Sequence, residues 1–450
     1  MTPDPGGRPE TGNVFVTGGR PLGGRVSVPG NKHGMVLGFA AAVALGAELT
    51  LDNAPRLAER RALGAAVTGL GGSVSGTGTR LRIDGRITGT ELPPASTRAI
   101  HGSLYLLPAV LAQRGQVEFH GSGGDGLGRF EWGLARPLKH MLEVMESFGA
   151  RWEWRDGLLR ITASRLRPAT VDILRWSDDD RRPAGPHVSG ATKTALLMAA
   201  AAPGTSLIHN PHEKEAQHEL ASMLRRFGVE VEQRDASWLV RGGTAGPSAE
   251  YGLMSDPAEV VTWTSFAAMT GSTLTLDCGE TSRTHAALHR ELRFLKLLGT
   301  EPEFGTESIT VRPANGPYDG AELVAESTGI STDTTPLLAM LLLRATGSST
   351  VEDRVWPGRF GYAEHLRRMG ARMEVVGHRL LVAPSTLHPA REPLAPEDTR
   401  AAAVCLGAAL AAPGDTVVGG LAHLDRGYQE LVPRLVGLGA RIERPAGSAG

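Results

Sequence analysis

Cysteine is nearly absent: Cys278 and Cys405 are the only two in 450 residues. They stand far apart with no CxxC or CxxH spacing, which excludes a disulfide scaffold and a zinc ribbon and fits a reducing compartment. Aromatic residues are scarce at 5%. No apolar run reaches the roughly 20 residues that a membrane-spanning helix needs. Met1 to Asn13 is polar and rich in Gly and Pro, without a basic and apolar leader, so a cytoplasmic protein with no membrane partner is expected. An excess of one charge is also missing. Lys+Arg 47 against Asp+Glu 48 gives a net charge of −1, which removes the long-range field of a general nucleic-acid binder. Any anion this chain binds must meet a local cluster of cations.

Two other absences narrow the chemistry. His209, His212 and His218 with Glu213 and Glu215 have neither HExxH nor another ligand spacing, so no metal is expected. Gly121-Ser122-Gly123-Gly124-Asp125-Gly126 formally matches GxGxxG, but no β-α-β unit with a downstream acidic residue follows. A dinucleotide cofactor is therefore not expected, nor is any other.

Glycine, in contrast, is abundant: 58 residues, against about 7% in average usage. Part of the excess is periodic. An amphipathic helix pattern ending in a bulky apolar residue and glycine recurs at Leu70-Gly71, Phe148-Gly149, Phe227-Gly228, Leu298-Gly299, Met369-Gly370 and Leu438-Gly439. An alternating strand follows each glycine, and in all but the last copy a turn and a second strand come next. Upstream of each glycine lies an Ala/Leu-rich helix, apolar nearly all round, then a β-branched strand. A helix apolar on every face must be buried on every face. The expectation is an α/β protein of six β-α-β-α-β-β units of about 70 residues, in two domains of three, with the sheets outside and the helices within. The mixed-charge, proline-containing stretch Leu166 to Pro186 reads as a surface connection.

Polar residues gather where the buried helices begin: Gly30-Asn31-Lys32-His33, Gly124-Asp125-Gly126, Val188-Ser189-Gly190-Ala191-Thr192, Thr332-Asp333-Thr334-Thr335, Asp398-Thr399-Arg400 and Asp425-Arg426-Gly427-Tyr428. A helix start offers unpaired N–H groups and the positive end of a dipole. Lys32, Arg136, Arg359, Arg400 and Arg426 add full charges suited to phosphate or carboxylate. Any one of them alone reads as a surface charge or a cap; recurrence at equivalent places points to function.

With these residues assembled, the chain resembles the enolpyruvyl transferases, its UDP-sugar branch more closely than its shikimate branch, from about Gly23 to Glu443. The resemblance rests on Gly24-Arg25-Val26-Ser27-Val28-Pro29-Gly30-Asn31-Lys32, Gly123-Gly124-Asp125, Ala135-Arg136-Pro137-Leu138, Thr332-Asp333, Arg359-Phe360 and, most specifically, His423-Leu424-Asp425-Arg426-Gly427-Tyr428. It implies a two-domain inside-out α/β barrel, with domains at 32–254 and at 1–31 plus 255–450. It also implies an active site in the interdomain cleft and closure over substrate. The implied reaction moves the enolpyruvyl group of phosphoenolpyruvate to a hydroxyl and releases phosphate through a tetrahedral ketal. Matching positions make Lys32, Arg136, Arg359, Arg400 and Arg426 the phosphoenolpyruvate contacts. Asp333 becomes the base on the acceptor hydroxyl and a contact to it, Asp398 a proton shuttle, and Lys32, Asp125 and Arg426 further catalytic groups.

Departures from the family pattern cluster on the acceptor side. Lys32 is followed by His33, an expected arginine reads His101, and the phosphate-binding segment reads Val188-Ser189-Gly190-Ala191-Thr192-Lys193. About six extra residues, Arg129 to Leu134, lengthen the loop carrying Asp125, itself an aspartate where many members have cysteine. His33, His101, Arg136, Pro137, Leu138, Ser189, Gly190 and Asp333 are the expected acceptor contacts, and Arg136-Pro137-Leu138 points to a uridine nucleotide. The favoured acceptor is the 3′-hydroxyl of UMP, as in nucleoside antibiotic pathways. UDP-N-acetylglucosamine is the alternative, and an inactive binding paralogue stands behind both.

Overall fold

The structure, a computed structural model, describes residues 12–123, 130–134, 137–314 and 316–444. The chain forms two compact units. One comprises Pro29–Asp256 together with Glu326–Thr328; the other comprises the chain up to Val28, Pro257–Ala325 and everything from Gly329 onward. Each has its own apolar core.

Three helices run through the core of the first of these units: Lys32–Leu45, Leu106–Arg114 and Val188–Ala201. They are mainly apolar: Lys32–Leu45 has no polar side chain after His33, Leu106–Arg114 has them only at its end, and Val188–Ala201 carries Thr192, Lys193 and Thr194 in its second turn. In Lys32–Leu45, every residue from Gly34 to Ala44 is buried. The other unit repeats the arrangement with Pro257–Thr270, Thr335–Leu341 and Thr399–Ala411. Amphipathic helices such as Ala58–Gly69, Glu215–Arg226 and His289–Leu297 cover one face only, as their alternation of apolar and charged positions dictates.

Among the described residues the strands form three sheets in each unit. Four of the six share one plan. A strand that follows a buried helix pairs parallel on one side and antiparallel on the other, the latter being half of a hairpin. Gly204–His209 lies parallel to Thr170–Asp172 and antiparallel to Ser237–Gly242. Ser349–Asp353 lies parallel to Glu322–Ala325 and antiparallel to Arg379–Ala383. In the two other cases the parallel partner comes from a distant part of the chain. Ser248–Gly252 pairs with Glu48–Asp52, and Gly23–Ser27 pairs with Thr273–Asp277. The chain passes between units after Val28 and after Asp256, and in both cases the strand just before the passage pairs within the unit that the chain is leaving.

The stretch Leu166 to Pro186, expected as a surface connection, contains strand Thr170–Asp172 and a helical turn at Ile173–Trp176. A strand of three residues between prolines is too short to show a period. The remainder does form a turn, closed by the Ser177 hydroxyl donating to Arg182 O at 2.7 Å and accepting from Ala184 N at 2.8 Å.

The periodic glycines have a common conformation. Gly71, Gly149, Gly228, Gly299, Gly370 and Gly439 all follow amphipathic helices with φ between 65° and 98°, the left-handed region where a Cβ is unfavourable. Gly407 serves a different need: a Cβ there would stand 2.5 Å from Cε1 of Phe266, a fully buried ring on the neighbouring helix Pro257–Thr270. Replacing Gly407 by Val is expected to lower stability by about 2 kcal/mol through overpacking. An unchanged urea midpoint would contradict this close approach.

Candidate active site

In the unit that holds Pro257–Ala325, the carboxylate of Asp333 precedes helix Thr335–Leu341 and meets two guanidinium groups. Arg359 Nη1 donates to Asp333 Oδ1 at 3.0 Å, and Arg400 Nη2 lies 3.6 Å from Oδ2. Both arginine side chains are more than nine-tenths buried. Arg359 also donates to the Thr332 carbonyl at 3.1 Å, and the Thr332 hydroxyl donates to the buried Asp353. Burial works against the Arg359 charge, but Asp333, Asp398 and Asp353 outweigh it and raise its pKa. Arg400 donates to Tyr428 Oη at 2.7 Å, and that phenol bonds to Thr262 Oγ1 at 2.9 Å. Tyr428, the end of the most specific motif, is thus the support of Arg400.

Asp398 is the N-cap of helix Thr399–Ala411, accepting from the backbone N–H groups of Arg400 at 2.8 Å and Ala401 at 3.0 Å. Its carboxylate thereby orients the Arg400 backbone. Arg426 is half-buried on the short helix Leu421–Gly427. Asp333, Arg359, Arg400 and Asp398 therefore form one cluster.

In the other unit, Lys32 is the first residue of helix Lys32–Leu45. Its ammonium lies 2.9 Å from Glu59 Oε2, a carboxylate almost wholly buried, and its backbone N–H donates to Asp256 Oδ2 at 3.1 Å. Asn31 caps the helix by accepting from His33 N at 3.1 Å, while its amide donates to buried Glu219 at 2.9 Å. His33 is half-buried beside it. His101 lies edge-on to Tyr105, with ring centroids 6.4 Å apart. Pro137 and Leu138 are buried at the start of helix Lys139–Ser147. Asp125 and Arg136 lie outside the described residues.

The helix Val188–Ala201 opens with Ser189, whose hydroxyl accepts from Gln217 Nε2 at 3.0 Å. Gly190 is needed because a Cβ there would stand 2.3 Å from His140 Nε2. The His140 ring lies 5.0 Å from that of His187. Desolvation first, and His187 second, push the His140 pKa down to about 3, so the ring is neutral at ordinary pH. In the lengthened loop, Trp132 stacks on Trp154 at 4.9 Å, and Phe130 N donates to Leu134 O at 2.9 Å. Trp132 thus lies against strand Arg151–Arg155, its ring also 5.6 Å from that of Trp152.

Several functional groups escaped the reading of the sequence. Glu59, Glu219 and Glu291 are 2–4% exposed, each on an amphipathic helix and each holding the start of a buried one. Glu59 pairs with Lys32, Glu219 accepts from Asn31, and Glu291 accepts from Ser331 N at 2.8 Å and Thr334 Oγ1 at 3.1 Å. A glutamate near the start of a helix reads equally well as a solvated charge favoured by the dipole; the usable signal was its recurrence in three copies.

Comparison with known proteins bears on the family of the chain. The family model for EPSP synthase (3-phosphoshikimate 1-carboxyvinyltransferase) matches residues 16–435. UDP-N-acetylglucosamine 1-carboxyvinyltransferase of Paracoccus denitrificans is 31% identical over 443 residues, covering 96% of this chain and 98% of that one. The same-named protein of Dinoroseobacter shibae is also 31% identical, over 96% and 98%. Among solved structures, the enolpyruvyl transferase NikO from Streptomyces tendae superposes with a TM-score of 0.90 at 33% identity, over 97% of this chain and 99% of that one. EPSP synthase from Acinetobacter baumannii, at 16% identity and a TM-score of 0.69, shares the fold. The chain belongs to the EPSP synthase family. It is an enolpyruvyl transferase, an enzyme that uses phosphoenolpyruvate. Among the described residues no helix is long and apolar enough to cross a membrane, and no group of acidic, His or Cys side chains could hold a metal.

The neutral His140 links this region to pH. Its folded pKa of about 3 lies below the ordinary 6.5, so between these values the unfolded chain binds a proton that the folded chain does not. Its contribution is full above pH 6.5 and is lost as pH falls toward 3. The slope it adds approaches about 1.4 kcal/mol per pH unit. Urea unfolding of His140→Leu at pH 6, 5 and 4 is expected to show a shallower fall in stability than the parent by about that amount. Equal slopes would show that His140 titrates normally.

Proposed function

We propose that this chain transfers the enolpyruvyl group of phosphoenolpyruvate to a hydroxyl of a uridine nucleotide. The observation that carries the reading is the Asp333 carboxylate paired with the two buried guanidiniums of Arg359 and Arg400. The two buried guanidiniums, balanced here by Asp333, Asp353 and Asp398, suit a donor whose phosphate and carboxylate would take the place of an internal partner. When the donor's anions draw Arg359 and Arg400, Asp333 is released from its partners and can take a proton.

In the first step a proton adds to C3 of phosphoenolpyruvate. The acceptor oxygen bonds to C2, and its proton passes to Asp333. In the second step a proton leaves C3, the C2–O bond to phosphate breaks, and phosphate departs with that electron pair. Lys32, Arg136 and Arg426 join Arg359 and Arg400 as donor contacts, Asp398 shares in the proton traffic, and Asp125 is the acid at C3. The six-repeat inside-out barrel belongs to the same reading.

The relatives named as UDP-N-acetylglucosamine 1-carboxyvinyltransferases favour that sugar nucleotide over the UMP that the sequence departures put first. UMP stays as the second reading on a specific observation. The segment expected to meet acceptor phosphate departs in sequence from the family pattern and has Ser189 tied to Gln217 and His140 packed beneath Gly190, and His33 and His101 are further departures among the expected acceptor contacts. On the UMP reading the chain would serve nucleoside antibiotic biosynthesis.

Phosphate release with phosphoenolpyruvate and, in turn, UDP-N-acetylglucosamine, UMP and shikimate 3-phosphate separates the readings. Turnover with a uridine nucleotide is expected, and Asp333→Asn is expected to lower kcat at least about a hundredfold. Turnover with shikimate 3-phosphate alone would overturn the acceptor, and turnover with none would leave a binding paralogue.

A further inference from the structure

Tyr362 is the second residue of helix Gly361–Arg368 and follows Arg359 by three positions. It is 2% exposed, and its hydroxyl meets no hydrogen-bond partner among the described residues. Other tyrosines of the same unit spend theirs: Tyr428 Oη bonds to Thr262 and accepts from Arg400, and Tyr318 Oη donates to the Leu341 carbonyl. A buried hydroxyl without a partner lowers stability, and phenylalanine would fill the same space without that cost. The phenol has no part in the chemistry described above.

The groups around it narrow what it can serve. Helix Gly361–Arg368 packs against helix Thr399–Ala411, whose N-cap is Asp398. Desolvation first, and then the charges of Asp353 and Asp398, push the Tyr362 pKa up against the pull of Arg359. The phenol therefore keeps its proton and is a donor. Arg359 has only donors and cannot receive that hydrogen bond. Asp353 is already held on both oxygens, by the Thr332 hydroxyl on Oδ2 and by the backbone N–H groups of Val355 and Trp356 on Oδ1. Asp398 differs: both of its described hydrogen bonds, from Arg400 N and Ala401 N, fall on Oδ1. Its Oδ2 is left to accept.

We infer that Tyr362 is a positioning residue whose hydroxyl donates to Asp398 Oδ2 once phosphoenolpyruvate is bound. The inference rests on the proposed function, in which the donor's anions draw Arg359. Asp398 is one of the carboxylates that balance Arg359 before the donor binds. As that cation turns to the donor, Asp398 loses part of its counter-charge, and a hydrogen bond from the phenol takes its place. The carboxylate that caps the helix of Arg400 is then held at both oxygens. A hydroxyl that burdens the chain alone becomes a gain on donor binding.

The test is Tyr362→Phe in the full chain, by urea unfolding and by titration calorimetry with phosphoenolpyruvate, UMP and UDP-N-acetylglucosamine. Without ligand, the urea midpoint of the variant should equal or exceed that of the parent. Phosphoenolpyruvate should bind at least about tenfold more weakly, the scale of one hydrogen bond to a charged group. Whichever uridine nucleotide binds without phosphoenolpyruvate should do so within twofold of the parent. Asp398→Asn keeps an oxygen to cap the helix and replaces the other by an amide. In that background Tyr362→Phe should change phosphoenolpyruvate affinity less than twofold. A midpoint below that of the parent would show that the hydroxyl already has a partner and would overturn the inference, as would unchanged phosphoenolpyruvate affinity in Tyr362→Phe. A loss that persists beside Asp398→Asn would place the phenol on another acceptor, such as the buried Nδ1 of His365, and overturn the pairing. A parent that binds no phosphoenolpyruvate would overturn the proposed function and this inference with it. Should Asp398→Asn fail to fold, Asp398→Ser, which also caps a helix, replaces it under the same criteria.

Discussion

A helix that is apolar on every side can carry polar groups only at its ends, and this constraint organises the protein. Helices such as Lys32–Leu45 and Thr399–Ala411 are buried along nearly their whole length, so functional side chains are confined to their first residues. Those residues are held from behind. Glu59 holds Lys32, Glu219 holds Asn31, and Glu291 holds Ser331 and Thr334. On the helix Pro257–Thr270, Glu259 accepts from Trp263 Nε1 at 3.1 Å and pairs with Arg434. Each buried carboxylate is costly alone and tolerable with its cation or donors, so the charged starts are part of the fold as well as of the chemistry.

This explains how a chain with net charge −1 serves an anionic donor. On the proposed function, the cations that would meet the donor are local and already paired: Lys32 with Glu59, and Arg359 and Arg400 with Asp333. Pairing keeps them desolvated without leaving a naked charge, and a substrate anion replaces an internal one. Among the described residues Lys193 has no carboxylate within ion-pair distance and rests on the face of Tyr105.

Much of this was legible in the sequence. The six glycines after the amphipathic helices, the all-apolar helices and the hairpins following the first five of those glycines could be read from periodicity alone, because each is a local consequence of residue type. Family motifs singled out Asp333 and Arg359, and a helix start Arg400, but that the carboxylate pairs with both guanidiniums was not read from the sequence. Long-range choices were hidden. Nothing near Glu48–Asp52 says that its parallel neighbour is Ser248–Gly252, and the strand Thr170–Asp172 is too short to carry a period. Glu59, Glu219 and Glu291 were missed because a glutamate near a helix start looks the same whether it faces water or the next helix. The Glu326–Thr328 segment, which packs with Pro29–Asp256 through His212 and Arg182, has no sequence signal at all.

The central claim is that the polar starts of the buried helices carry out addition and elimination at the double bond of phosphoenolpyruvate. Turnover in deuterium oxide, with mass analysis of the enolpyruvyl product, reads that chemistry directly. Protonation at C3 followed by proton loss predicts deuterium in the product's methylene group. A product that forms at full rate with its methylene wholly protonated would contradict the account.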